Sequence, residues 1–305
     1  MVRDTAIHDI GEKLAEDIAE VRYSALRELA VLEHVFVLKP RLLEICLYDS
    51  WGPNRSEAVR ALAALWPDAD VKQAFAACLD AEPYVANTVV EILALRLDSE
   101  AIELLHQRFR SAQNAKLRYS ILQAFCNARE CIARDFVLNA RGHVDEDERV
   151  RALSLSLLAR TGDLALKDLF VARLKDDSQR VRAGAIEALS EICSPEELLE
   201  LLPPYLDDSS NRVRANAMIP LLKAGYRIAE SRLRDMVAHT CNLFRSSAAY
   251  VLGEMAPTVQ VVSHLDDLAR DADPVVRNRA LASVERLGLR PPPAGATPAS
   301  QSIGI

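Results

Sequence analysis

The feature that most constrains this chain is a period. Three stretches read alike: RVRALSLSLLARTG at 149–162, RVRAGAIEALSEIC at 180–193 and RVRANAMIPLLKAG at 212–225. With the apolar residue before the arginine as position zero, they align at Val150, Val181 and Val213. The register extends to Val85, Leu117, Phe244 and Val276. Steps between these anchors, from Val85 onward, are 32, 33, 31, 32, 31 and 32 residues. A unit this short cannot bury its own apolar face, so copies must stack, each mainly on its neighbours. Upstream, the same search selects Val59 and Val21 at steps of 26 and 38, so the period reads ragged there.

Positions within the unit have separate jobs. Position +1 is arginine at Arg60, Arg118, Arg151, Arg182, Arg214, Arg245 and Arg277, and fails at Ala86. Position −5 is aspartate at Asp80, Asp145, Asp176, Asp208 and Asp271. Position +4 is alanine at Ala63, Ala185, Ala217, Ala248 and Ala280, small enough for close helix approach, and +8 is apolar from Leu93 to Val284. Gly162, Gly225 and Gly288 close three units at +12, where a left-handed C-cap favours glycine. A second amphipathic stretch precedes each unit, as in LALKDLFVARL at 164–174. Each repeat is therefore expected to be helix, turn, helix. Scarce glycine (10) and aromatics (5%) agree with an all-α chain of about nine stacked hairpins.

An arginine from one stacked unit can meet an aspartate from the next. Arg118, Arg151, Arg182, Arg214 and Arg277, with Asp145, Asp176, Asp208 and Asp271, are therefore expected to form a structural ladder. Doubled carboxylates such as Asp176–Asp177 and Asp207–Asp208 recur at one turn, which suits capping rather than acid–base chemistry.

The D-x4-VR-x2-A pattern resembles the short HEAT repeats of bacterial proteins, including those of phycobilin lyases. The resemblance covers about residues 80–288. It implies a right-handed superhelical α-solenoid whose second helices line a concave face, and it implies no activity.

Three regions are expected: an atypical capping segment at 1–55, a repeat array at 56–288 and a tail at 289–305. The stretch SWGPNRSE at 50–57 reads as a loop that interrupts the spacing. Trp66, before Pro67, is expected to plug a packing gap, whereas Trp51 is a candidate for exposure. The tail, LRPPPAGATPASQSIGI, is poor in charge and rich in proline, and reads as disordered.

Motif chemistry is sparse. No two glycines lie closer than seven residues apart, so neither GxGxxG nor a phosphate loop is present, and HExxH and GxSxG are missing too. The six histidines are isolated, and no histidine precedes a glutamate. No cofactor or metal is expected. The six cysteines contain no CxxC pair, and each falls in an apolar stretch, so buried reduced thiols are expected. The N-terminus carries Glu and Asp where a signal peptide would be apolar, and no run of apolar residues is long enough to span a bilayer. The expectation is a cytoplasmic protein. A net charge of −7 disfavours a nucleic-acid binder.

A partner surface can be sketched from periodicity. At 100° per residue, positions −1, +3, +6 and +10 of the second helix face away from the stack. Position −1 holds Tyr84, Lys116, Arg149, Arg180 and Arg212. Cations at a helix N-terminus are disfavoured by the helix dipole, so another interaction must favour them. Position +6 adds Glu91, Gln123, Ser156, Glu187 and Tyr250. Mixed signs suit a protein partner better than a polyanion. The reading is a non-enzymatic adaptor binding a protein partner through Tyr84, Lys116, Arg149, Arg180, Arg212, Glu187 and Tyr250. A phycobilin-lyase-like enzyme or enzyme subunit, and a nucleic-acid binder, are the alternatives.

Overall fold

The computed structural model describes residues 2–29 and 35–289. The expected tail falls outside the described residues apart from Leu289. Among the described residues every regular element is helical, and eighteen α-helices pair into nine hairpins. First helices are α1 (Val2–Ala15), α3 (Lys39–Tyr48), α5 (Ala69–Cys78), α7 (Ser99–Ser111), α9 (Glu130–Ala140), α11 (Lys167–Arg173), α13 (Pro195–Leu201), α15 (Arg227–Val237) and α17 (Val259–Leu268). Second helices are α2 (Ala19–Leu29), α4 (Gly52–Leu62), α6 (Pro83–Arg96), α8 (Ala115–Ala124) and α10 (Glu148–Ala159), then α12 (Gln179–Ile192), α14 (Asn211–Lys223), α16 (Asn242–Leu252) and α18 (Pro274–Arg286). The chain divides into two compact units after Leu157, within α10. In the first unit α2, α4, α6 and α8 pack in succession; in the second, α12, α14, α16 and α18 do the same.

Every second helix starts two residues before its anchor, and this rule corrects the register of the first third. Helix α4 begins at Gly52, so its anchor is Asn54, not Val59. The anchors then run Val21, Asn54 and Val85, at steps of 33 and 31 residues. The new register puts Asp49 at −5, Arg55 at +1, Ala58 at +4 and Leu62 at +8, with Ala58 and Leu62 fully buried. Arg60 instead lies on the exposed side, 3.6 Å from Glu57 and Glu91. The apparent loop at 50–57 is mostly the start of α4, and the expected division at residue 55 falls inside that helix. The anchor was hidden because it is polar. Asn54 is buried where its counterparts are apolar, and its amide donates to Ala19 O at 3.1 Å and Asp49 Oδ2 at 3.2 Å.

The +4 alanines and +8 apolar residues form the interior between second helices. Ala58, Ala185, Ala217, Ala248 and Ala280 have no exposed surface, nor do Leu93, Phe125, Leu158, Leu189 and Leu221. Each buried leucine or phenylalanine contributes about 1.5–3 kcal/mol of transfer free energy. Trp66 is also buried, stacked on Phe75 at 5.7 Å, and its Nε1 donates to Asp98 at 3.0 Å. Trp51 is part-exposed and meets Tyr23 edge-on at 5.5 Å. Gly162, Gly225 and Gly288 have φ of 59°, 76° and 66°, the left-handed conformation a helix C-cap needs.

The turns are tied by one recurring construction. Arg182 Nη1 donates to Asp176 O and Asp177 O of its own turn at 2.9 and 3.0 Å. Its Nε and Nη2 then reach Asp208 in the next repeat, both at 2.9 Å. Asp208 Oδ1 meanwhile accepts from Ser210 N at 2.8 Å, closing the turn before α14. Arg245 and Asp271 repeat the geometry, with Nε–Oδ2 at 2.7 Å and Nη2–Oδ1 at 2.9 Å. So do Arg118 and Asp145 in the first unit, at the same two distances. Arg22 and Asp49 form an earlier rung, Nε to Oδ2 at 2.7 Å. Arg151 and Arg277 bond their own turns at Asp145 O and Asp271 O, at 2.8 and 2.7 Å, and Asp176 accepts from Ser178 N at 3.0 Å. A bidentate arginine–carboxylate pair fixes orientation as well as distance, so each rung sets how one repeat sits on the next.

Three rungs depart from it. Arg55 reaches Glu82 Oε2 at 2.8 Å instead of Asp80, which pairs with Arg108. The other two follow the same logic. At the Arg214 step, position −5 is His239, whose Nδ1 accepts from Cys241 N at 3.0 Å and so closes the turn as an aspartate would. The arginine's second partner becomes the Phe244 ring, 4.9 Å from the guanidinium carbon. Where +1 is Ala86, the matching −5 residue is Ala112, so both halves of that rung are missing together.

The expectation of six buried thiols is corrected. Cys46 and Cys78 are buried with their Sγ atoms 3.3 Å apart, but Cys126 and Cys131 are exposed and Cys193 and Cys241 half-buried. Cys126 lies in the turn after α8, and Cys131 on the water side of the first winding of α9.

Candidate functional site

The turn construction determines which side chains are left over. With +1 drawn into the rung and the anchor into the core, position −1 is turned to water. Tyr84, Lys116, Arg149, Arg180 and Arg212 are all exposed. They are not equivalent. Arg149 folds back onto Asp147 (Nη2–Oδ2 2.9 Å, Nε–Oδ1 3.2 Å), and this contact holds the Asp147 carboxyl down to about 2. Arg212 sits 3.4 Å from Glu187 Oε1. The Lys116 ammonium and the Arg180 guanidinium have no hydrogen bond or ion pair among the described residues.

In the first unit, α6 and α8 frame a groove of about 410 Å³ lined by Asn87, Val90, Glu91, Leu95, Ser120 and Gln123. Leu95 is 88% exposed at its edge. Tyr84, Lys116 and Arg149 do not line it.

In the second unit, α12, α14, α16 and α18 contribute to one groove of about 470 Å³. Of the residues expected on this face, Glu187, Arg212 and Tyr250 meet there, whereas Arg180 does not line it. Asn216 Nδ2 donates to Glu187 Oε1 at 2.6 Å, so this carboxylate has two partners. Asn211 Nδ2 bridges Ser247 Oγ at 2.6 Å and Leu243 O at 3.2 Å. Arg286 lies over the Tyr250 ring at 5.6 Å. The groove also holds Leu243, Val275, Asn216 and Arg279, which the sequence reading did not single out. Leu243 and Val275 occupy position −1 of the last two repeats, and Asn216 and Arg279 occupy +3. Following position −1 past its last cation would have found the first two.

Among the described residues, no group of three or more His, Cys, Asp or Glu is placed to hold a metal ion. No described helix is long and apolar enough to cross a membrane.

Comparison with known proteins agrees with the repeat geometry. Residues 136–219 and 199–285 match the family model for HEAT repeats. The fold is a HEAT-repeat α-solenoid. Escherichia coli YibA is similar at TM-score 0.52 and 17% identity, over 90% of this chain and 98% of that one. Kap121p, in a structure with Nup53p bound, is similar at TM-score 0.57 and 14% identity, over 92% of this chain. Yeast importin-β, Kap95p, is similar at TM-score 0.50 and 14% identity, over 91% of this chain. This chain spans 37% of the Kap121p chain and 48% of the Kap95p chain. No curated protein matches it in sequence. The HEAT match begins at residue 136, although an Arg22–Asp49 rung lies before it and the Arg118–Asp145 rung bridges its start.

Proposed function

We propose that this HEAT-repeat solenoid is a non-enzymatic adaptor that binds a protein partner on the face of its second helices. The observation that carries the reading is the groove of the second unit. Four successive second helices line it with both signs of charge, amides, hydroxyls, a tyrosine and two exposed aliphatic side chains. Interfaces between proteins combine apolar contact, arginine and tyrosine in this way. Kap121p, a solenoid of similar fold, has been crystallised with a protein partner, which is compatible with the reading.

The test is position-specific photo-crosslinking in the native host. A benzoylphenylalanine is placed at Tyr250 or Leu95 on the second-helix face, and at Gln73 or Gln107 on the first-helix side. Discrete protein adducts from Tyr250 or Leu95 alone support the reading. Adducts confined to Gln73 and Gln107, or to none of the four, overturn it.

A further inference from the structure

We propose that the groove of the second unit receives an acidic segment of its partner in which carboxylates adjoin aliphatic side chains. The proposal rests on the protein-binding reading and adds the chemistry of the segment.

The row of −1 positions changes character along the unit. It reads Arg180, Arg212, Leu243, Val275, two cations followed by two aliphatic residues. All four are exposed, Leu243 at 54% and Val275 at 55%. Branched aliphatic side chains that begin two successive helices and stay uncovered form a local apolar step beside the charges. Arg279, one helical turn after Val275, brings a second guanidinium to the groove beside Arg212.

Charge at the groove is unbalanced. Among the lining residues Glu187 is the one carboxylate, against Arg212 and Arg279. Arg279 and the neighbouring Arg180 have no ion pair or side-chain hydrogen bond among the described residues. Arg212 holds Glu187 only at 3.4 Å, while Asn216 holds the same oxygen at 2.6 Å. An incoming carboxylate can therefore draw Arg212 away without stranding Glu187, because the Asn216 amide stays bonded. The chain as a whole carries −7, so this cationic spot stands against the overall field and favours acidic segments locally. The aliphatic half separates the proposed ligand from nucleic acid, whose phosphates would gain nothing from Leu243 and Val275.

The test is fluorescence anisotropy with the full chain and three labelled synthetic peptides. One carries a run of glutamates followed by alternating leucine and serine, one has lysine in place of each glutamate, and one has serine in place of each leucine. The glutamate–leucine peptide is expected to bind saturably, and the other two at least about fivefold more weakly. Arg212→Glu with Arg279→Glu should raise its Kd about tenfold or more, and Leu243→Ser with Val275→Ser about fivefold. Glu187→Gln should lower Kd about twofold by removing the internal competitor. All five positions are on the surface, and circular dichroism melts confirm that the variants fold.

Equal binding of the lysine peptide, or Kd values unmoved by the variants, overturns the proposal. So does displacement of the peptide by a single-stranded oligonucleotide at equal concentration, or by self-association of the chain seen in sedimentation. Photo-crosslinks from Tyr250 together with failure of the peptide series would leave the adaptor reading standing and remove only this proposal. Peptide binding without host crosslinks would overturn both, because the proposed segment belongs to a protein partner.

Discussion

Two sets of arginines stand at the start of the second helices, one residue before the anchor and one residue after it. In α12 these are Arg180 and Arg182, and in α14 Arg212 and Arg214. Residues two apart on a helix point to different sides, and here the difference decides everything. Arg182 is about 15% exposed at its side chain and is held by two backbone carbonyls and a bidentate carboxylate. Arg180 is exposed and its guanidinium is bound to nothing among the described residues. The +1 row is arginine in eight of the nine repeats, whereas the −1 row is arginine only at Arg149, Arg180 and Arg212. Within α12 and α14 the two rows look alike in sequence, and burial and partner count separate them.

The largest effect should come from breaking a rung. Asp208→Ala removes the carboxylate that Arg182 reaches and the acceptor that closes the turn at Ser210. A half-buried guanidinium left without its partner costs about 2–3 kcal/mol. Arg180→Ala, two residues before Arg182, should change stability by less than about 0.5 kcal/mol. Urea unfolding of the two variants checks the contrast, and equal losses would erase the distinction between the rows.

Acid should act on the rungs selectively. Arg245 beside Asp271 holds that carboxyl below the usual range. At Asp208 burial works upward, but Arg182, the Ser210 amide and further cations outweigh it, and the net direction is again down. A carboxyl whose folded pKa is depressed contributes stability above its unfolded value of about 4, and loses it as pH falls through the folded value. Melting temperature should therefore hold from neutral pH to about pH 4 and then fall. Asp208→Ala and Asp271→Ala should each make that fall shallower, while Arg180→Ala should leave it unchanged. Thermal melts across this window decide the matter.

Much of this was legible in the sequence, and the failures have physical causes. The period, the arginine and aspartate positions and the glycine caps follow from core and turn geometry, which allow few residue types. Asn54 defeats the pattern because a buried asparagine whose Nδ2 finds two acceptors occupies a position where its counterparts are apolar, even with its Oδ1 left unbonded among the described residues. Its repeat was then aligned on Val59, five residues late. The exposed face was less legible. Water tolerates any residue, so the −1 row changes from cations to Leu243 and Val275 without a repeating residue type to mark it. The cysteines failed for a related reason: an apolar neighbourhood in sequence does not say which side of a helix or turn Cys126 and Cys131 occupy.

The rung without charges offers the finest test of the comparison. Ala86 and Ala112 stand where arginine and aspartate stand elsewhere, and they are 3% and 6% exposed. Ala112 O already accepts from Arg118 Nη1 at 2.8 Å, so the turn there has the carbonyl half of the construction. Ala112→Asp alone would bury a carboxylate with no guanidinium, and Ala86→Arg alone would place a cation without its acceptor. Both single variants should lose stability. The double variant should recover part of the loss, with a favourable coupling of about 1 kcal/mol in a double-mutant cycle. That coupling would mean two positions in neighbouring repeats suffice to specify a rung. A coupling near zero would move the stabilisation to the aspartate-closed turn and the packing beneath it. The +1 arginines would then be passengers of the turn, closer in kind to the exposed row than their burial suggests.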